Sequence, residues 1–239
     1  MKKLMMTLVT ALGISTCLGA IAPITENNHR LYIKPDVSWN FVHKFKDETY
    51  TFKEWGQYFG LNAGYEFLKP SDFYAGIEAF VSFGHQFAER MDKDKKTMGL
   101  EGTAFKNKLE GRLGYTLMRS EISVTPFSGA GGYFLSQNGN YFNLAYIPLG
   151  VKTEYQWDQI SIGLKAEQMH FLRYWRFSDT KESQTVWGRG AYGYELSMPI
   201  SFKADSPDGK WYAAIEPYYL KIFDDFSFMG GRVSAIYQY

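Results

Sequence analysis

Alternation of apolar and polar residues is the feature that most constrains how this chain folds. From Leu31 to Phe41, odd positions are apolar or aromatic, apart from one proline, and even positions are mostly polar. The same period of two recurs from Phe59 to Phe67 and from Phe73 to Phe83. Successive side chains of a strand point to opposite faces, so this period predicts β-strands with one apolar and one polar face.

Ten segments of this kind cover the chain beyond residue 30, which predicts an all-β fold. A content of 18% aromatic residues and 23 glycines agrees with strands and turns. In the fifth segment, polarity does not decide which face is apolar, because Phe127 and Tyr133 share one face while Val124 and Phe134 share the other. The predicted strands lie near residues 31–43, 55–67, 73–86, 102–117, 122–134, 141–157, 160–172, 187–203, 210–221 and 227–239.

The first 22 residues form a separate segment. Two lysines precede the apolar run Leu4–Leu18, and small residues follow at Gly19 and Ala22. This order is typical of a secretory signal peptide, and cleavage after either small residue fits the pattern. We therefore expect a signal peptide over 1–22 and one β-domain over 23–239.

The connections between the predicted strands alternate in length. This alternation is typical of transmembrane barrels with short periplasmic turns and longer outside loops, and an even number of strands places both chain ends in the periplasm. The short connections lie near 68–72, 118–121, 158–159 and 204–209, and the long or polar ones near 44–54, 87–101, 136–139, 173–186 and 222–226.

Aromatic residues gather at both ends of the predicted apolar face. A barrel surrounded by lipid needs such girdles at its two interfaces, whereas a soluble β-protein does not. The short-turn ends carry Tyr65, Phe73, Tyr115, Tyr155, Trp157, Phe202, Trp211, Tyr237 and Tyr239, and the long-loop ends carry Trp39, Phe41, Trp55, Phe83, Phe105, Tyr141 and Tyr219.

With these features the chain resembles the bacterial outer-membrane β-barrel class over its mature length. Val233, Ala235, Tyr237 and Tyr239 alternate and end in an aromatic residue, similar to the C-terminal signal that the outer-membrane assembly machinery reads. The resemblance implies a transmembrane antiparallel up-and-down β-barrel of about ten strands in the cell outer membrane. It also implies outer-membrane lipid, lipopolysaccharide and the assembly machinery as partners.

The polar face carries the charges that would line the barrel lumen. A two-residue turn at Asp158–Gln159 places Lys152 opposite Lys165, and we expect Glu154 and Glu167 to join them in one network. Two interpretations stay open, a lumen plugged by charge pairs and a narrow pore for small polar solutes. The predicted lumen residues are Lys34, Asp36, Glu66, Glu78, Lys106, Lys108, Glu110, Arg112, Lys152, Glu154, Lys165, Glu167, Arg189, Glu195, Glu216 and Arg232.

The sequence carries little sign of catalytic chemistry. Its only cysteine, Cys17, lies in the signal segment, so the mature chain has no disulfide, thiolate nucleophile or cysteine-based zinc site. His43, His85 and His170 fall in the outward frame near the outer strand ends, which does not suit an omptin-like protease. Outward histidines would suit a lipid-modifying enzyme, but no nucleophile shares a local motif with any of them. We expect no enzyme, cofactor or metal. With 26 basic and 25 acidic residues, nucleic acid is not an expected partner.

One predicted outside loop interleaves cations with aromatic rings at Arg173, Tyr174, Trp175 and Arg176. Arginines can bind lipopolysaccharide phosphates while the rings lie at the acyl boundary, or the loop can meet another surface. The predicted function is therefore structural or surface-interacting, adhesin-like or lipopolysaccharide-contacting. A porin-like channel is the first alternative, and an omptin-like or lipid-modifying enzyme is the second.

Overall fold

A computed structural model describes residues 28–46, 50–92, 97–137, 140–157, 159–178, 181–186, 192–204, 210–222 and 226–239. The predicted signal segment lies outside these residues. Within them, no helix is long and apolar enough to span a membrane. The strand segments are β1 Asn28–Lys46, β2 Tyr50–Leu68, β3 Phe73–Asp92, β4 Thr97–Tyr115, β5 Leu117–Arg119, β6 Ile122–Gln137, β7 Asn140–Trp157, β8 Ile160–Ser178, β9 Lys181–Val186, β10 Tyr192–Ser197, β11 Ile200–Lys203, β12 Trp211–Ile222 and β13 Phe226–Gln238.

These segments build a closed antiparallel barrel of ten strands, which confirms the predicted fold. β4 and β5 form one barrel strand, and β9, β10 and β11 lie along another. The break between β10 and β11 falls at Met198 and Pro199, where the Met198 N–H donates to the Pro217 carbonyl at 3.0 Å. The barrel closes where β1 pairs with β13, with Leu31 opposite Tyr237 and Val37 opposite Gly231.

Two tight turns, at residues 69–72 and 120–121, join strands at the end of the barrel where His29 and Tyr239 lie. Ser71 and Ser120 adopt positive φ angles of 53° and 52°, the left-handed conformation that tight turns use. In the first turn Lys69 binds Asp72, and the Phe73 N–H donates to the same carboxylate at 2.8 Å. The hydrogen bond from Lys69, followed by that from Phe73, lowers the pKa of Asp72.

At the opposite end, the segments predicted as long loops are largely strand. β1 and β2 stay paired as far as Lys46 and Thr51, and β3 and β4 as far as Met91 and Thr97. Likewise, β8 continues to Ser178 and then pairs with β9. Both faces of a hairpin that leaves the bilayer meet water, so its sequence loses the alternation that marks a strand. The prediction of loops was wrong here, because the backbone hydrogen bonds between strands extend further along the chain than the alternation of apolar and polar residues does.

The exterior is apolar between two aromatic belts. Trp157 is 66% exposed near the end of the barrel that holds Tyr239, and Phe83 is 64% exposed near the other end. Such a continuous apolar surface is unstable in water and stable in lipid. Other large apolar residues on this surface include Leu31, Ile33, Trp39, Trp55, Phe59, Leu61, Ile77, Leu109, Leu113, Tyr115, Leu149, Tyr155, Ile162, Trp211, Ile215, Tyr219, Val233 and Tyr239.

The interior is filled in layers. Toward the outer end, aromatic and aliphatic side chains from seven strand segments form an apolar cap across the lumen. A smaller apolar group of Leu68, Tyr74 and Phe127 lies toward the periplasmic end. Phe127 and Tyr133 are both buried, so the undecided face of β6 that holds them faces inward. The apolar cap comprises Tyr58, Ala104, Tyr133, Leu135, Phe142, Leu144, Tyr146, Met169, Phe171, Tyr218, Leu220, Ile222 and Phe228.

Candidate functional site

A charged belt crosses the lumen beneath the apolar cap. We use this name for Lys34, Asp36, Glu78, Lys108, Glu110, Arg112, Lys165, Glu167, Glu195, Glu216 and Arg232. Lys108 is central to it. Its Nζ lies 3.3 Å from Glu78 Oε1, 3.4 Å from Glu110 Oε2 and 3.1 Å from Glu195 Oε2. These carboxylates come from β3, β4 and β10, so one ammonium group ties opposite walls of the barrel together.

Arg112 forms the second centre of the belt. Its guanidinium hydrogen-bonds Glu110 and lies 3.4 Å from Glu78 and 3.8 Å from Glu167. The Tyr146 hydroxyl, which belongs to the apolar cap, donates to Glu110 Oε2 at 2.6 Å. The cap and the belt are therefore joined by a buried hydrogen bond.

Arg232 completes the belt on the β13 side. Its guanidinium reaches Asp36 at 3.3 Å, Glu195 at 3.2 Å and Glu216 at 2.9 Å. Lys34 binds the other oxygen of Glu216 at 2.7 Å. Asp36, Glu195 and Arg232 are nearly solvent-free, so these pairs form in a medium where an unmatched charge is costly.

A periplasmic pair group lies below the belt and comprises Arg30, Glu66, Lys152 and Glu154. Arg30 donates to both oxygens of Glu154, at 2.8 and 3.2 Å, and Lys152 binds Glu66 at 2.6 Å. Arg30 is absent from the predicted lumen residues, because the first predicted strand begins one residue later. Arg30 shares the even-numbered frame of Lys34, and that frame is the signal that could have found it.

Lys106 is held in a different way, inside the apolar cap. Its Nζ donates to Ser38 Oγ at 3.3 Å and lies 4.4 Å from the centre of the Phe228 ring. The rings of Tyr58 and Phe80 are each 5.0 Å away. Aromatic faces attract a cation electrostatically, so three rings stabilise this buried ammonium. The lumen therefore holds buried aromatic rings such as Phe80 and Phe228 beside the predicted charges.

The register of β7 and β8 agrees with the predicted two-residue turn. Trp157 pairs with Ile160, and Lys152 pairs with Lys165. The four residues predicted as one network nevertheless divide between two groups. Lys165 binds Glu167 at 2.8 Å within the belt, whereas Lys152 and Glu154 bind partners in the periplasmic pair group. The prediction of a single network was wrong, because Lys152 finds its anion across the lumen on β2, whereas Lys165 finds its anion two residues along its own strand.

The structure brings some predicted site residues together and leaves others apart. Glu78 and Arg112 meet within the belt, as described above. Arg173 to Arg176, predicted to be a loop, belong to β8, with Arg173 opposite Ala145 and Arg176 opposite Phe142. The side chains of Tyr174, Trp175 and Arg176 and all of Arg189 lie outside the description.

The predicted assembly signal forms the end of β13. Val233 and Tyr239 are exposed on the outer surface, and the Tyr237 ring packs against Trp211 at 5.0 Å. Ala235 pairs with Ile33 across the seam that closes the barrel.

His85 and His170, two of the three histidines predicted to face outward, do lie in outward-facing frames. The ring of His85 lies 3.8 Å from Glu101 on the exposed rim, and that of His170 packs against Tyr192 at 5.0 Å. The side chain of His43, and Asp224 with Asp225, lie outside the described part of the chain. Within that part, no group of three or more histidine, cysteine or acidic side chains is placed to hold a metal ion.

No protein-family model and no curated protein matches the sequence. Among solved structures, the outer membrane protease OmpT of Escherichia coli is 8% identical, with a TM-score of 0.56 over 90% of this chain and 97% of that chain. The translocator domain of the autotransporter NalP from Neisseria meningitidis is 10% identical, with a TM-score of 0.48 over 99% and 93%. At these identities the likeness to OmpT supports the fold alone, and the likeness to NalP carries no weight.

The lipid-compatible exterior, the two aromatic belts and the closed ladder of ten strands define a transmembrane β-barrel of the outer-membrane class. Its location is the bacterial outer membrane.

Proposed function

We propose that this barrel is a closed, non-conducting protein with a structural or surface-interaction role, adhesin-like or lipopolysaccharide-contacting. The observation that carries the proposal is the apolar cap, which spans the lumen with buried side chains from opposite walls. Its buried members come from both sides of the barrel, from β2 and β4 as well as from β7, β8 and β12. Ring contacts within it join Tyr58 to Phe228, with centres 5.6 Å apart, and Tyr146 to Phe171 at 5.8 Å. An apolar barrier of this kind excludes water and ions.

The pairing of the lumen charges also favours a closed barrel over a narrow porin-like channel. Each of the eight described lumen carboxylates lies within 4.0 Å of a lysine or arginine. A conducting pore needs charges that face water, whereas these charges are paired with one another. The carboxylates are Asp36, Glu66, Glu78, Glu110, Glu154, Glu167, Glu195 and Glu216.

Single-channel recording in planar bilayers tests the closed lumen. The wild type should show no steady conductance, whereas combined Tyr58→Ala and Phe228→Ala substitutions should open transient paths, since they remove two facing rings of the cap. Combined Phe59→Ala and Met229→Ala substitutions are the matched control, because they remove neighbouring side chains on the lipid face. Steady conductance by the wild type would overturn the proposal in favour of the channel.

The proposal includes no catalytic role, because His85 and His170 face away from the buried charges. It does include a contact with lipopolysaccharide near the outer end of β8. The test is binding of the purified protein to immobilised lipopolysaccharide, in which combined Arg173→Ala and Arg176→Ala substitutions should weaken binding. Equal binding by this variant and the wild type would remove these arginines from the contact.

The proposal also includes export and assembly. We propose that residues 1–22 are removed and that the end of β13 is read by the assembly machinery. N-terminal sequencing of the outer-membrane form tests the first point, with Ala20 or Pro23 expected as the first residue. Retention of Met1 in the assembled protein would contradict it.

A further inference from the structure

A groove of about 500 Å³ lies on the outer wall, where the β3, β4, β6 and β7 strands run side by side. It lies over Gly132, which is exposed and lacks a side chain. Leu109 and Phe134, from the lipid-facing frames of β4 and β6, line it, and the amides of Asn107 and Asn143 line its outer part. The groove therefore combines an apolar channel for a chain with two hydrogen-bonding groups.

The depth of the groove can be read from β7. Tyr155 belongs to the periplasmic aromatic belt, and Asn143 is twelve positions away toward the outer end. At about 3.3 Å per residue and a strand tilt of about 40°, the two residues are separated by about 30 Å along the barrel axis. The apolar band of such barrels is about 25 Å tall. Asn143 is thus at the outer interface, and Gly132, which pairs with Ala145, lies just below it.

The two amides flank a single ring at this depth. Phe134 pairs with Asn107 on one side and with Asn143 on the other. A side-chain amide facing hydrocarbon would lose its hydrogen bonds, but at the interface it meets the polar groups that link acyl chains to a headgroup. Arg173 pairs with Ala145 on the next strand and adds a cation to the same side of the barrel.

We propose that this groove binds an acyl chain of lipopolysaccharide in the outer leaflet. The chain lies over Gly132 beside Leu109, and the amides of Asn107 and Asn143 hydrogen-bond to the amide or ester group that links the chain to its headgroup. Because the groove lies at the outer interface, the lipid that can reach it is the one in the outer leaflet. The positive charge of Arg173 suits the phosphates of lipopolysaccharide. This inference rests on the proposed lipopolysaccharide contact and names a site for it.

Two glycine substitutions test the groove with a matched control. Gly132→Phe fills it, and the backbone tolerates the change because a Cβ at this position meets no heavy atom closer than the Leu144 carbonyl oxygen at 3.9 Å. Gly231→Phe adds the same ring to the lipid face of β13, on another part of the barrel wall, where a Cβ meets no described atom within 4 Å. Both variants add the same apolar area, so they differ only in place.

Native mass spectrometry of the full chain, extracted in mild detergent, counts the lipopolysaccharide retained by each variant. Delipidated protein is then mixed with lipopolysaccharide or with phosphatidylethanolamine, and its unfolding temperature is measured. Wild type and Gly231→Phe should retain lipopolysaccharide and be stabilised by it rather than by the phospholipid. Gly132→Phe should bind about tenfold more weakly. Combined Asn107→Leu and Asn143→Leu substitutions should also weaken binding while leaving the groove open.

Equal retention of lipopolysaccharide by Gly132→Phe and the wild type would overturn the inference, as would equal stabilisation by phosphatidylethanolamine. A wild-type dimer that Gly132→Phe converts to a monomer would make a second copy of the chain the occupant. Gly132→Phe could keep lipopolysaccharide while the combined Arg173→Ala and Arg176→Ala substitutions release it. That result would support the proposed lipopolysaccharide contact and contradict the groove as its site. If Gly132→Phe does not fold, the combined Asn107→Leu and Asn143→Leu variant provides the test. Unchanged lipopolysaccharide binding by that variant would also overturn the inference.

Discussion

Lys152 lies directly opposite Lys165 in the register of β7 and β8, yet the two ammonium groups bind different carboxylates. Lys152 reaches Glu66 at 2.6 Å and Lys165 reaches Glu167 at 2.8 Å. Like charges at paired positions normally destabilise a sheet. They are tolerated here because each cation has its own buried anion.

This arrangement predicts a large effect for Lys165→Ala. The substitution takes a cation from Glu167 and Glu195, whose side chains are almost completely buried, and should lower the free energy of unfolding by about 3 kcal/mol. Denaturant unfolding in detergent micelles measures it. Lys69→Ala is the control, since its partner Asp72 is half-exposed and the loss should be much smaller. Equal losses would show that the lumen charges are solvated.

The hydrogen bond between the cap and the belt gives a second prediction. Tyr146→Phe removes the donor to buried Glu110 and should cost about 2 kcal/mol of unfolding free energy. Tyr155→Phe is matched to it, because it removes a tyrosine to glutamate hydrogen bond from the exposed surface of the same strand. That control should change stability very little. A Tyr146→Phe protein as stable as the control would mean that water replaces the hydroxyl.

Close packing around Tyr146 gives a third prediction. A Cβ on Gly131 would overlap the Tyr146 ring, so Gly131→Ala should destabilise the barrel by about 1 to 3 kcal/mol through overpacking. Gly111→Ala should be neutral or slightly stabilising, because a Cβ there meets no described atom within 4 Å and alanine suits a strand better than glycine. Thermal unfolding of both variants checks the order, and the reverse order would contradict the packing described here.

The seam of the barrel gives a fourth prediction. The rings of His29 and Tyr239 stack with centres 5.2 Å apart, and their backbones exchange hydrogen bonds of 3.1 and 3.0 Å. Removal of Tyr239 deletes both contacts and should severely reduce the assembled protein, measured as the heat-modifiable fraction on gels. Tyr219→Ala, at the other end of the barrel, should assemble normally. An unchanged yield without Tyr239 would show that the final residue has no part in closure.

Much of the fold could be predicted from the sequence because lipid imposes a local pattern. A residue that faces hydrocarbon must be apolar whatever its neighbours are, so alternation along one strand, as from Leu31 to Trp39, reveals both the strand and its outward face. The tight turn before Ile160 fixed a register for the same local reason. In the outer hairpin of β8 and β9, both faces of the strands meet water and the alternation of apolar and polar residues is lost. The predicted strand therefore ended too early.

The inward face of β6 and the pairing of lumen charges were decided only by the tertiary structure. The alternation of β6 places aromatic residues on both faces, so Phe127 became an inward residue only when the barrel closed around it. The pairs Arg30 with Glu154 and Lys108 with Glu195 join strands that are not neighbours in the sheet. In the strands with clear alternation, the sequence by itself determined which residues face the lumen, since that is a property of each strand. Which carboxylate each cation binds depends on distances across the closed barrel. The alternation along a single strand carries no information about those distances.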